Sequence, residues 1–269
     1  MTWARTSSPS AAPSRGGRLR RRGPDAPPTG PAVVVVTDRR LVPAGRRLLD
    51  VAIDALEGGA DAVLVRERDL PPEQRRDLVA AVATAAASCA ARDAAVLVAS
   101  PFPADLPLDA AVTAGVHLRS HESVGRVNAP GRLAGRSCHD VTDLVQAADD
   151  GLDYVTCSPV AASLSKPGYG PVLGPVGLGA AVAALRRDRH WAPTVLAFGG
   201  VDACNAGQWI RAGADGVALM GAVMTSRNPG ATTRAVRLAV DRVAQLARGG
   251  GAADDRDAPV GGPVDEGQR

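Results

Sequence analysis

The sequence predicts one α/β domain, a single (β/α)₈ barrel with disordered N- and C-terminal tails. Three observations carry that reading. Eight short apolar runs alternate with longer helical patterns, 45% of the 269 residues are apolar, and polar residues collect where the apolar runs stop. Single barrels of this kind run to about 250 residues. A doubly wound sheet is the alternative, because counting units does not prove closure.

The candidate strands are VVVVT (33–37), AVLVRE (62–67), AVLVAS (95–100), GVHLRS (115–120), LAGRS (133–137), YVTCSP (154–159), TVLAFGG (194–200) and GVALMG (216–221). Most of them carry a run of consecutive apolar residues rather than an alternating pattern, as expected of parallel strands buried on both faces. Apolar residues at three- and four-residue spacing predict helices near 44–58, 71–91, 107–114, 122–128, 141–150, 176–188, 203–212 and 229–247. Pro71 and Pro72 suit a helix start, where a missing N–H costs little.

The ends differ in composition. Residues 1–30 are rich in Gly, Pro and Ser and carry six arginines against one aspartate; residues 249–269 carry two arginines against five acids. Both read as disordered tails, basic and acidic, around a nearly neutral barrel domain over 31–248. The pI near 8.9 is therefore largely a property of the first tail. RLRRR (18–22) reads as a solvated extension rather than a nucleic-acid patch, since no aromatic residues interleave with it. No apolar run of membrane-spanning length is present, and none follows the basic stretch as in a secretion signal. Cys89, Cys138, Cys157 and Cys204 lie far apart with no C-x-x-C pair, which predicts neither zinc nor disulfides and fits a reducing cytoplasm.

Barrel enzymes place their chemistry at the C-terminal strand ends, with phosphate often held after strands seven and eight. In this sequence those ends carry Arg66, Glu67 and Arg68, then Arg119 and His121, Ser137 and His139, Ser158 to Lys166, Gly199-Gly200, and Met220-Gly221. The glycine pair reads either as a tight turn or as a backbone cradle for phosphate. Arg66 and Arg68 are read as pointing to opposite faces, Arg66 into the site and Arg68 toward an ion pair outside. His139 is placed to move protons near neutral pH, with a merely structural role as the alternative. Lys166 is the only lysine among 31 basic residues. Its compact ammonium on a flexible stem is not interchangeable with a guanidinium in a crowded phosphate pocket.

Seven stretches, VVVVTDRRL (33–41), GGADAVLVRERDL (58–70), AGVHLRS (114–120), GRSCHD (135–140), DYVTCSPVAASLSKPGYGPVLG (153–174), AFGGVDACN (197–205) and AGADGVALMGAV (212–223), resemble in order the thiamine phosphate synthase/TenI family. The resemblance spans residues 32–226 and implies a TIM barrel. The synthases join hydroxymethylpyrimidine diphosphate to a thiazole phosphate, release pyrophosphate and use Mg²⁺; TenI-like relatives include a thiazole tautomerase that shifts a proton. By resemblance Arg66, Arg68 and Ser137 contact diphosphate, Ser163 and Ser165 replace two threonines beside Lys166, and Gly199, Gly200 and Gly221 belong to the phosphate loops.

Other positions depart from the synthase pattern. Ala99-Ser100 stand where the family has a metal-binding Asn-Asp, Glu122 falls on the second metal carboxylate, Asp105 lies in a longer loop, and Leu64 replaces a glutamine that contacts the aminopyrimidine. The leading expectation is therefore a TenI-like, tautomerase-type enzyme of thiamine biosynthesis acting on a thiazole phosphate, with His139 and Lys166 catalytic and no certain cofactor. The alternatives are a divergent synthase using Mg²⁺, and a non-catalytic barrel binding a phosphorylated ligand or partner protein. The expected partners are phosphorylated thiazole or pyrimidine substrates, without nucleic acid or membrane, and the resemblance implies a homo-oligomer.

Overall fold

The computed structural model describes residues 30–89, 94–101, 115–124, 132–163, 168, 170–187 and 189–249. Residues 1–29 and 250–269, the predicted helix at 107–114, Asp105, Ser165 and Lys166 lie outside them. Eight parallel strands follow in chain order: β1 (Val33–Val36), β2 (Ala62–Val65), β3 (Ala95–Ala99), β4 (Gly115–Leu118), β5 (Leu133–Cys138), β6 (Tyr154–Cys157), β7 (Thr194–Phe198) and β8 (Gly216–Leu219). Each pairs with the next, and β1 pairs with β8 through Val33↔Val217, Val34↔Ala218 and Val35↔Leu219, so the sheet is a closed barrel.

The helices are α1 (Leu48–Glu57), α2 (Pro72–Ser88), α3 (Val141–Asp149), α4 (Gly174–Arg186), α5 (Ala206–Arg211), α6 (Gly221–Met224) and α7 (Pro229–Gly249). Pro72 opens α2. Asp140 caps α3, its carboxylate accepting from the Asp143 amide at 2.8 Å. Three details differ from the sequence reading. Residues 122–124 of the predicted 122–128 helix are not helical, and 125–128 lie outside the described residues. A 3₁₀ turn at Arg39–Leu41 follows β1. The apolar GVALMG run splits into a strand and the one-turn α6, because the chain turns at Met220.

Residues of β1 and β2 are buried on both faces, wedged between the barrel interior and the helical ring, which is why an unbroken apolar run was needed there. At the N-terminal ends some of the opening strand amides are answered by side chains rather than by a neighbouring carbonyl. The residue before an even strand answers them in three places. Asp61 accepts from the Ala32 and Val33 amides at 2.8 and 2.9 Å, Asp153 from Ala134 at 2.8 Å, and Asp215 from Val195 at 2.8 Å. Each carboxylate thus fastens the start of the preceding strand, and an unpaired buried amide would cost about 1–3 kcal/mol apiece. Arg237 of α7 pairs with Asp61, and Arg186 of α4 with Asp215 at 2.7 Å, tying the outer helices to the same points.

One polar cluster lies deep in the barrel. The fully buried Tyr154 ring stacks on His117 with centroids 5.6 Å apart. It lies against Gly135, where an added Cβ would overlap it. The Tyr154 hydroxyl donates to the Val116 carbonyl at 3.2 Å. Its oxygen therefore accepts from His117 Nδ1–H at 3.2 Å, and His117 Nε2 carries the lone pair that accepts from Ser137 Oγ at 3.0 Å. Burial first, then the Arg68 guanidinium, push His117 down to about 3, with Glu122 opposing.

Two outcomes follow from this packing. Gly135→Ala is expected to destabilise the fold by about 1–3 kcal/mol, read as a lowered urea midpoint, because the ring has no room to yield. His117 takes a proton in the unfolded chain near its ordinary 6.5 but in the folded chain only near 3, so the unfolded state binds more protons between those values. This contribution to stability is complete above the unfolded value and is lost as pH falls. Unfolding free energy should drop by about 1 kcal/mol per pH unit in that window, and His117→Gln should remove that share of the slope.

Candidate active site

The C-terminal strand ends surround a cavity of about 640 Å³. Its floor is the last inward layer of the barrel, including Val36, Leu64, His117, Ser137, Thr156 and Ala218. Arg66, Arg68, Ser137, His139, Ser163, Gly199, Gly200 and Gly221, predicted from the sequence, all line this one space. Ser165 and Lys166, predicted beside them, fall outside the described residues.

One side of the cavity is cationic. Arg66, Arg68 and Arg119 line it together. The expectation that Arg66 and Arg68 face opposite ways is overturned: residues two apart on an extended chain share a side, and both reach the cavity. Arg66 is steered by Asp38, whose carboxylate stands 3.5 Å from Nη1, and by the Met220 sulfur at 3.7 Å. Arg68 is different. Its Nε is buried without a hydrogen-bond partner among the described residues, and burial, aided by Arg66 and Arg119, holds the group down to about 10. It stays charged at neutral pH, a cation facing the cavity that Glu122 opposes from a distance without an ion pair among the described residues.

The other side is backbone. Gly199 and Gly200 have φ of 91° and 67°, which an L side chain rarely adopts, and a Cβ at Gly200 would meet the Ala162 carbonyl. The short α6 begins at Gly221 beside them. Backbone N–H groups of such loops, next to a short extra helix, suit a phosphate.

His139 sits on the wall between the two. Its Nδ1–H donates to the Ser158 carbonyl at 2.8 Å, which selects the tautomer with the lone pair on Nε2. Its backbone amide donates to Asp143 at 2.8 Å, so the backbone is held from the first turn of α3 and the ring from the residue after β6.

His117 and Thr156 were not among the predicted site residues, and Arg119 was named only as a polar residue at a strand end, without a role. The signal was the period of two: His117 lies two residues before Arg119, and Thr156 two before Ser158, so each shares a face with a residue already at a strand end. Thr156 Oγ1 is buried with no partner among the described residues, a polar atom on the cavity floor that awaits one. Ser137 gives its hydroxyl hydrogen to His117 and so presents lone pairs to the cavity.

Glu122, the metal candidate, does not line the cavity among the described residues. One carboxylate oxygen accepts from Ser100 Oγ and from the Arg119 amide at 2.9 Å, and the other lies 3.6 Å from Arg119 Nε. Burial works to raise this carboxyl, but the Ser100 and Arg119 hydrogen bonds and nearby guanidinium charge outweigh it and hold it low. Magnesium takes hard anionic oxygens in a near-octahedral shell. Among the described residues the site offers a single carboxylate, one oxygen of it already engaged, beside a neutral serine and two arginines, and this set does not fit it. No group of three or more His, Cys, Asp or Glu able to hold a metal occurs among the described residues. Nor is any described helix long and apolar enough to cross a membrane.

Comparison with known proteins agrees with this geometry. The family described as thiamine monophosphate synthase matches residues 33–223. The thiamine-phosphate synthase of Roseiflexus castenholzii is 35% identical over 215 residues, covering 78% of this chain and 88% of its own. That of Methanoculleus marisnigri is 37% identical over 218 residues, covering 78% and 94%. Among solved structures, a thiamine phosphate pyrophosphorylase from Pyrococcus furiosus superimposes with a TM-score of 0.64 at 27% identity, covering 79% of this chain and 96% of that one. A 3-hexulose-6-phosphate synthase, at 18% identity and a TM-score of 0.54, shares the fold alone. With a family match across most of the barrel and relatives of this identity over nearly their whole length, the chain belongs to the thiamine monophosphate synthase family.

Proposed function

We propose that the protein is a thiamine-phosphate synthase, a transferase that joins a pyrimidine methyl diphosphate to a thiazole phosphate and releases pyrophosphate. The observation that carries this is the pairing of two anion-binding features across one cavity: guanidinium groups on one side, a positive-φ glycine cradle on the other. A tautomerase handling one phosphate needs only the second. The relatives' names weigh the same way, favouring the reading that the sequence ranked second.

In this reading the thiazole phosphate rests on Gly199, Gly200 and the start of α6, and the diphosphate lies toward Arg66, Arg68 and Arg119. The thiazole nitrogen's lone pair forms the new C–N bond to the pyrimidine methylene. The C–O bond to the diphosphate breaks, and its electrons leave with pyrophosphate. No proton has to move. The chain's contribution is to align the two ends and to hold fixed positive charge where negative charge accumulates on the leaving group, the kind of electrostatic stabilisation that contributes most in a dry site. Leu64 offers the pyrimidine's exocyclic amine no acceptor. The Ser137 lone pairs and the Thr156 hydroxyl do, so the amine is assigned to them.

His139 favours the proton-transfer reading as the second possibility, since its tautomer leaves Nε2 as the basic atom. One experiment separates the two. Purified protein given both substrates and Mg²⁺ should release pyrophosphate, and His139→Ala should keep that rate within about tenfold, whereas loss of a general acid/base costs about 10²–10⁴. Proton exchange on carboxythiazole phosphate without pyrophosphate release would reverse the assignment. Thr156→Val, nearly isosteric, should raise KM for the pyrimidine diphosphate by about tenfold, the worth of one hydrogen bond in a buried site, and leave KM for the thiazole phosphate unchanged.

A further inference from the structure

The residues that fail to fit Mg²⁺ have a pattern of their own. The guanidinium groups of Arg66, Arg68, Arg75 and Arg119 lie near one another, Arg68 sensing the other three, and of these Arg68 and Arg119 bear on the Glu122 carboxylate. The first two and Arg119 line the cavity. Arg75 stands behind it on α2, only 2% exposed, with its two terminal nitrogens on the carbonyls of Ala99 and Pro101. Those carbonyls flank Ser100, at the end of β3, where the family resemblance places a metal ligand. A buried cation therefore holds the very segment from which a carboxylate would have to reach a metal ion.

The charges agree with the geometry. Arg68 senses Arg66, Arg119 and Arg75 as repelling neighbours and Glu122 as the opposing charge. Glu122 spends one oxygen on Ser100 and the Arg119 amide, and faces Arg119 Nε with the other. A divalent cation here would meet like charges and a carboxylate with one oxygen engaged and the other facing a guanidinium; a polyanion would meet cations, one of which, Arg68, has a buried Nε without a hydrogen-bond partner among the described residues. Planar guanidinium forks also match phosphate oxygens two at a time, which a metal ion does through shared coordination.

We propose that this end of the cavity holds diphosphate through guanidinium groups without a metal ion, with Arg68 and Arg119 standing where the family places one and Arg75 positioning the β3 end behind them. Diphosphate binding is then independent of divalent cations. The inference rests on the reading of the cavity as a diphosphate-transfer site, and the two fail differently.

Isothermal titration of inorganic pyrophosphate into the full chain, once in EDTA and once in excess Mg²⁺, tests it. The expected result is binding in both, with affinities within about threefold, and a loss of about tenfold or more in EDTA for Arg68→Gln and for Arg119→Gln, the worth of a charged hydrogen bond. Thermal melting of each variant checks that it is folded, and Arg119, the more exposed, serves where Arg68→Gln does not fold. Binding seen only with Mg²⁺, or about tenfold tighter with it, overturns the metal-free site while leaving the synthase reading standing. Absence of binding in both conditions overturns this inference and the diphosphate reading together.

Discussion

A closed parallel barrel leaves no sheet edge, so inside the ring every strand amide is answered by a neighbour, and only the strand ends remain to be satisfied by something else. In this protein the two poles solve that problem differently. The N-terminal pole is fastened by Asp61, Asp153 and Asp215, each borrowing the position just before an even strand to hold the start of the odd strand beside it. With that pole fastened by carboxylates and by Arg186 and Arg237 from the outer helices, the opposite pole is free to carry unpaired charge and loops of positive φ. The cavity is affordable because the other end is closed.

The unpaired charge is organised rather than merely tolerated. Asp38 steers Arg66, Arg75 fixes the β3 end, and the His117–Ser137–Tyr154 chain of hydrogen bonds sets which atoms the floor presents. Keeping His117 neutral in the middle of that chain means that the floor adds no charge of its own next to Arg68. The cavity thus has a neutral base, a cationic side and a backbone side, which orders a ligand with two unlike ends.

Much of the fold was legible because buried parallel strands must be apolar on both faces, and the eight apolar runs map onto the eight strands to within two residues at each end. The misreadings have local causes. GVALMG looks like one strand because α6 is as apolar as β8, and nothing in composition marks the turn at Met220. Arg66 and Arg68 were set on opposite faces against the strand's own period of two, and the cavity brings them together. His117 went unnoticed because a lone histidine in an apolar strand reads as core; only its step of two from Arg119 hints at the cavity. The replacement of a metal carboxylate by Ser100 was visible in the sequence, but Arg75 was not, since its helix lies far from the site along the chain and only the packing of α2 on β3 brings it there.

The seam between β1 and β8 is latched from the far end of the chain: Arg237 of α7 reaches back to the Asp61 carboxylate and to the Gly59 carbonyl at 3.1 Å. On a ribosome the first strand is made early and the latch last. Before α7 emerges, β1 lacks this cation, so closure of the barrel depends on contacts of long sequence separation. Truncation within α7 would therefore be felt at the beginning of the chain.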